Sequence, residues 1–186
     1  PVAAFYAPTG SAGFDVRARF TRPAGRLQVT TNLLLTLGER ELQIRGGLTL
    51  QPEIDRLFSV EVALPPDWHV LGVTDQAGQP LTFESVTDSP GAGRTTRLRV
   101  RLPACIAPGQ EYAILLQAVH TPAGWLSEWS STQAAFPVFA VQGATRDVGA
   151  IAVQPGEDLT VYPDTLDRLT PLDEKEASRY GLPGGS

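Results

Sequence analysis

Residues 56–64 read Arg-Leu-Phe-Ser-Val-Glu-Val-Ala-Leu, and residues 95–102 read Thr-Thr-Arg-Leu-Arg-Val-Arg-Leu. Both stretches alternate apolar and polar side chains with a period of two, the pattern of a strand that buries one face. In the first, Phe58, Val60, Val62 and Leu64 are expected to point inward, with Ser59 and Glu61 outward. In the second, Leu98, Val100 and Leu102 are the inward set, against Arg97, Arg99 and Arg101. On this reading Phe58 is a core residue, and its truncation to alanine would cost about 3–5 kcal/mol.

The pattern extends along the chain. Residues 111–119, Glu-Tyr-Ala-Ile-Leu-Leu-Gln-Ala-Val, are apolar on both faces, so a central strand covered on both sides is expected there. Further strands are predicted at Phe14–Phe20, Arg26–Leu37, Glu41–Leu50, Val70–Thr74, Leu81–Val86, Phe136–Val141, Ala150–Val153 and Leu159–Tyr162. Gly38-Glu39-Arg40 suits a hairpin between the second and third of these. Turn chemistry at Pro65-Pro66-Asp67, Gln76-Ala77-Gly78, Ser89-Pro90-Gly91 and Ala107-Pro108-Gly109 separates the strands. About ten short strands of this kind predict an all-β fold, an antiparallel sandwich of two packed layers.

A single short C-terminal helix is expected over about Pro171–Tyr180. Thr170 is placed as its cap, Pro171 at its first position, and Leu172 and Tyr180 as its apolar contacts. Gly181 and Pro183 end it. The predicted organisation is a sandwich over residues 1–165, followed by a helix and linker over residues 166–186 that lead out of the domain.

The whole chain has 186 residues, of which 42% are hydrophobic and 19% charged, a globular composition able to bury a core without covalent staples. It starts at Pro1, contains no methionine and ends in Gly184-Gly185-Ser186, which reads as a segment of a longer polypeptide. No apolar run approaches the length of a membrane span, so insertion by this segment is not expected. A net charge of −5 argues against general nucleic-acid binding, which requires clustered cations to neutralise phosphate. Cys105 is the only cysteine, so no internal disulfide can form. Placement outside the cytoplasm is the favoured expectation.

No catalytic constellation stands out. His69 and His120 are the only histidines and share no metal-ligand spacing, so no metal or cofactor is expected. Cys105 has the apolar neighbours Ala104 and Ile106 and is read as a buried, inert thiol. Gly10-Ser11-Ala12-Gly13 lacks the nucleophile-elbow pattern. Pro90-Gly91-Ala92-Gly93-Arg94 is followed by a strand instead of the helix that a phosphate loop needs. Glu157, Asp158, Asp164 and Asp167 do not follow calcium-loop spacing. Arg97, Arg99 and Arg101 form a row that could grip an anion, but pairing with acidic neighbours is the expected state.

The segment from His120 to Gln133 is a long connection carrying Trp125, Leu126 and Trp129. Long ordered loops are often functional, and exposed tryptophans stack on sugars or anchor partners. Trp125 and Trp129 are therefore the candidate binding residues, with closure of the core edge as the competing structural role. Ser127-Glu128-Trp129-Ser130 matches only half of the Trp-Ser-x-Trp-Ser signature of cytokine-receptor domains, because Leu126 stands at the first tryptophan position.

Within residues 57–119, an apolar strand leads into Leu64-Pro65-Pro66-x-Trp68. Leu81-Thr82-Phe83, Leu98-Arg99-Val100-Arg101-Leu102-Pro103 and Ile106-Ala107-Pro108-Gly109-x-x-Tyr112 follow. This order resembles the non-catalytic N-terminal β-domain of aminopeptidase N-type zinc peptidases. The resemblance implies architecture, and no peptidase motif accompanies it. The expected function is a non-catalytic structural or interaction module of a larger protein. Alternatives are a glycan- or protein-binding module using the Trp125/Trp129 loop, and an accessory domain of a hydrolase whose catalytic part lies elsewhere. Neighbouring domains of the same chain, a protein or a glycan are the partners these readings allow.

Overall fold

The computed structural model describes residues 26–87, 96–127, 131–166 and 169–183. Several segments read from the sequence lie outside them: the strand at 14–20, residues 10–13, the 89–95 loop, Trp129, Asp167 and the 184–186 tail. The described chain forms two sheets, an all-β sandwich as expected. The first contains β1 (Leu27–Leu37), β2 (Leu42–Pro52), β4 (His69–Asp75), β7 (Tyr112–His120) and β9 (Ala144–Pro155), in the order β4-β7-β2-β1-β9. The second contains β3 (Leu57–Leu64), β5 (Phe83–Thr87), β6 (Thr96–Ile106) and β8 (Ala140–Val141), in the order β5-β6-β3-β8. Neighbours pair antiparallel, except that β9 runs parallel to β1 at the sheet edge.

Alternating side chains from both sheets meet in one core. Val29, Leu33, Ile44, Leu48, Leu50 and Ile114 from the first face Val62, Leu98 and Val100 from the second, each nearly free of solvent. Trp68 closes one part of this core, edge-on to Phe139 at a centroid distance of 5.9 Å. β1 and β2 form the expected hairpin, held at its turn by Gly38 N–H donating to the Glu41 carbonyl at 3.0 Å.

The alternation of β3 holds for Val60, Val62 and Leu64 but breaks at Phe58, which is 64% exposed. Leu57 pairs with Ile106 while Ser59 pairs with Arg101, so residues 102–105 of β6 lie opposite Phe58 as a bulge. A bulge resets the period-two phase, putting Leu57 against the core and Phe58 in solvent. The same irregularity exposes Cys105, correcting the buried thiol.

β7 is an interior strand, yet only one face is covered: Ile114, Leu116 and Ala118 are buried while Leu115 is 41% exposed. Of the expected strand over 136–141 only Ala140–Val141 pairs, and 159–162 forms no strand, with Tyr162 out in solvent. The helix α1 covers Glu174–Arg179. Its cap is Asp173, not Thr170. Asp173 accepts from Glu176 N–H while the Glu176 side chain accepts from Asp173 N–H, a reciprocal capping box. Ala177 and Leu182, rather than Leu172 and Tyr180, are buried; they pack with Ala150, Ala152 and Leu34 on the outer face of the five-stranded sheet. A six-residue helix is unstable alone in water, so this contact is what orders it.

Candidate functional site

A depression of about 510 Å³ lies at the end of the sandwich where three connections converge. The β1–β2 turn supplies Glu39 and Arg40, the turn after β7 supplies Trp125 and Leu126, and the chain leaving β9 supplies Glu157 and Asp158. Backbone bonds fix the arrangement. Gly156 N–H donates to Leu37 C=O at 2.9 Å, and Trp125 N–H to Pro122 C=O at 3.0 Å. Gly124, with φ of 78°, provides the left-handed residue that this tight turn requires.

Trp125 forms the floor. It is only 6% exposed, and its indole Nε1–H donates to the Gly38 carbonyl at 3.0 Å. The side chain thus ties the post-β7 turn to the β1–β2 turn and closes the core edge. Leu126, 71% exposed, stands beside it. Trp129, its expected companion in ligand stacking, lies outside the described residues. The walls carry three carboxylates against one guanidinium. Among the described residues no three His, Cys, Asp or Glu side chains converge as metal ligands. Asp164 lies apart from the depression and accepts a bond from Gln133 Nε2 at 3.3 Å.

The other candidates are dispersed. His120 stacks on Trp68 at 5.4 Å, and its Nδ1 meets the Asp67 carbonyl at 3.0 Å, which fixes that nitrogen as the donor. Asp67 adopts the left-handed conformation, φ of 63°, that aims this carbonyl. His69, the next residue after Trp68, is exposed on the opposite side of its strand. Arg99 donates through Nε and Nη2 to Glu61 Oε1 at 2.9 and 2.6 Å, and Arg97 lies 3.6 Å from Glu61 Oε2. Two arginines of the row thus share the single Glu61 carboxylate across β3 and β6. Such exposed pairs contribute about 0–1 kcal/mol each.

Sequence reasoning passed over a polar patch on the outer face of the five-stranded sheet, a second depression of about 230 Å³. Gln28, Thr30, Thr49 and Gln51 were visible as the polar half of two alternating strands. Their adjacency depends on strand register, which no single segment reveals.

No family model matches the chain, and no curated protein matches it. Among solved structures it resembles an M1 zinc metallopeptidase from Deinococcus radiodurans, at 23% identity and a TM-score of 0.40. That match covers 52% of this chain and 21% of the metallopeptidase. It also resembles leukotriene A4 hydrolase from Saccharomyces cerevisiae, at 16% identity and a TM-score of 0.38. There it covers 51% of this chain and 15% of the hydrolase. The chain thus has a partial resemblance to this peptidase class and spans about a fifth or less of those proteins' lengths.

Proposed function

We propose that the chain is a non-catalytic β-sandwich module whose role is interaction within a larger protein. The observation that carries this reading is how the reactive residue types are used. His120 is held by Trp68 and the Asp67 carbonyl, Trp125 is a buried strut, and the Arg97–Arg99 row is bound to Glu61. General acid–base or nucleophilic work needs such groups within bonding reach of one another and of a shared cavity. Among the described residues these groups stand apart, and the carboxylates that do converge, Glu39, Glu157 and Asp158, are joined in their depression by no histidine or cysteine.

A hydrolase screen tests the reading. The purified chain is expected to turn over no peptide, ester, glycoside or phosphate substrate. Turnover that disappears on changing one polar side chain would overturn it.

A second reading, an accessory module beside a hydrolase domain, has one surface feature in its favour. Among the described residues the outer sheet face is covered by α1 over β1 and β9 but not over β7, where Leu115 is exposed. One exposed leucine here is a single apolar contact point that a neighbouring domain would cover. Leu115→Arg in the full-length polypeptide is then expected to loosen domain contacts, seen as faster proteolysis between domains while the sandwich itself stays folded. Unchanged proteolysis would count against that arrangement.

A further inference from the structure

The polar patch on the five-stranded sheet has an order that strand register makes explicit. Arg146 of β9 lies opposite Gln28 of β1, and Gln28 lies opposite Gln51 of β2. Glu111, the residue just before β7, closes this row within the same depression. The next row places Thr30 opposite Thr49. All four central residues alternate with the buried Leu27, Val29, Leu48 and Leu50, so they share the outward face. With strands about 4.8 Å apart, the row from Arg146 to Glu111 spans about 14 Å.

The hydrogen-bonding state of the grid narrows what it can receive. Gln28 Nε2 donates to Glu53 Oε1 at 2.6 Å, and Gln51 Nε2 donates to the Gly109 carbonyl at 3.3 Å. Each amide therefore has one nitrogen proton engaged locally, which fixes the plane of the group and leaves its oxygen as an acceptor. Thr30 and Thr49 offer hydroxyls that both donate and accept, Arg146 only donates, and ionised Glu111 only accepts. A cation would meet Arg146, and an anion would meet Glu111 and the amide oxygens. An apolar ligand would strip water from all six groups without replacing those bonds. A neutral ligand carrying both donors and acceptors along its length satisfies the whole grid.

We propose that this face, rather than the tryptophan loop, binds a short neutral oligosaccharide, whose ring hydroxyls supply both halves of each hydrogen bond. Saccharide binding goes beyond the proposed interaction role and rests on different residues. No aromatic platform stands among the six groups, and Val148 is the exposed apolar side chain beside them, so hydrogen bonds carry most of the contact and the complex is weak.

The test is a titration of the isotope-labelled chain with maltotriose, cellotriose, chitotriose, mannotriose and, separately, trialanine, followed by amide chemical shifts. The expected result is saturable shifts for at least one trisaccharide, confined to residues around 28–30, 49–51, 111 and 146–148. Thr49→Val and Arg146→Ala should each weaken that binding about fivefold to tenfold, the loss of roughly one hydrogen bond. Thr36→Val, on β1 beyond this patch, should leave it unchanged.

Several results would overturn the proposal. These are no saturation with any trisaccharide, shifts centred on Trp125, wild-type affinity retained in both Thr49→Val and Arg146→Ala, or tighter binding of trialanine. The same samples separate this idea from the non-catalytic reading. Cleavage of a bound trisaccharide would refute that reading while leaving the site intact, and absence of binding would remove the site alone.

Discussion

Gly149→Ala is a single-methyl test of how β9 is held. Gly149 lies opposite Thr31 in the parallel β1–β9 pair. Its φ is not in the left-handed region, so conformation does not demand glycine there. Space does. An added Cβ would overlap the Thr31 carbonyl oxygen and lie 2.6 Å from the Thr31 carbonyl carbon and 2.9 Å from its nitrogen. These are backbone atoms of a strand fixed on its other side by β2, so they cannot swing away as a flexible side chain would. Accommodating the methyl means parting the two strands locally. Overpacking costs about 1–3 kcal/mol, and opening two ladder hydrogen bonds adds about 1 kcal/mol each. The expected destabilisation is therefore about 3–5 kcal/mol by urea denaturation, with loss of amide-exchange protection concentrated in Ala144–Pro155. Gly47→Ala and Gly72→Ala are the controls. At Gly47 the new methyl meets Leu115 Cδ2 at an ordinary 3.4 Å, and at Gly72 nothing lies within 4 Å. Both should be neutral or gain about 0.4–1 kcal/mol from a less flexible unfolded chain. A Gly149→Ala protein within about 0.5 kcal/mol of wild type would refute the close approach of β1 and β9.

Phe58→Ala should change stability by less than about 0.5 kcal/mol, as for surface positions, while Leu98→Ala, at a site 1% exposed, should cost about 2–5 kcal/mol; paired denaturation curves decide between the bulged and the regular strand. Asp173→Ala removes the capping box and should cost α1 about 0.5–2 kcal/mol. Faster amide exchange limited to residues 174–182 would show it, and global destabilisation would contradict the local role of this helix. The Tyr112 hydroxyl is buried with no hydrogen-bond partner among the described residues, and burial, followed by the Asp75 charge, raises its pKa above the usual 10. The folded state then retains this proton while the unfolded chain releases it, so stability contributed by neutral Tyr112 is intact below about pH 10 and falls as pH rises past it. Tyr112→Phe should be neutral or stabilising at pH 7 and should flatten the alkaline decline; an unchanged alkaline profile would show that other groups cause it.

What the sequence made legible was the alternation inside single strands. The inward sets Val60–Val62–Leu64 and Leu98–Val100 were readable because each depends on one segment alone. Phe58 was misplaced because its phase is set by residues 102–105 on a different strand. Cys105 followed it for the same reason, its apolar neighbours suggesting burial that the bulge prevents. Apolar composition at 111–119 could not distinguish a strand covered on both faces from one with Leu115 left open. The helix start was a different kind of miss. Asp173 and Glu176 have capping-box spacing, and that reciprocal bond prevails over Thr170 and Pro171 upstream.

The outer face of the five-stranded sheet shows why the candidate binding region eluded a reading along the chain. Its properties change by register row, across the strands, and not by strand. Leu34, Ala150 and Ala152 form an apolar area covered by α1, whereas Gln28, Gln51 and Arg146 form a polar row left open. β1 contributes to both, so no property averaged along β1 separates them. Moving a strand by one residue would turn the polar grid into the core and bring Val29 and Leu50 to the surface. Burial of those two side chains therefore fixes which face carries Gln28, Thr30, Thr49 and Gln51, and the β1–β2 turn sets their alignment, so core and turn together specify the geometry of a surface they do not touch.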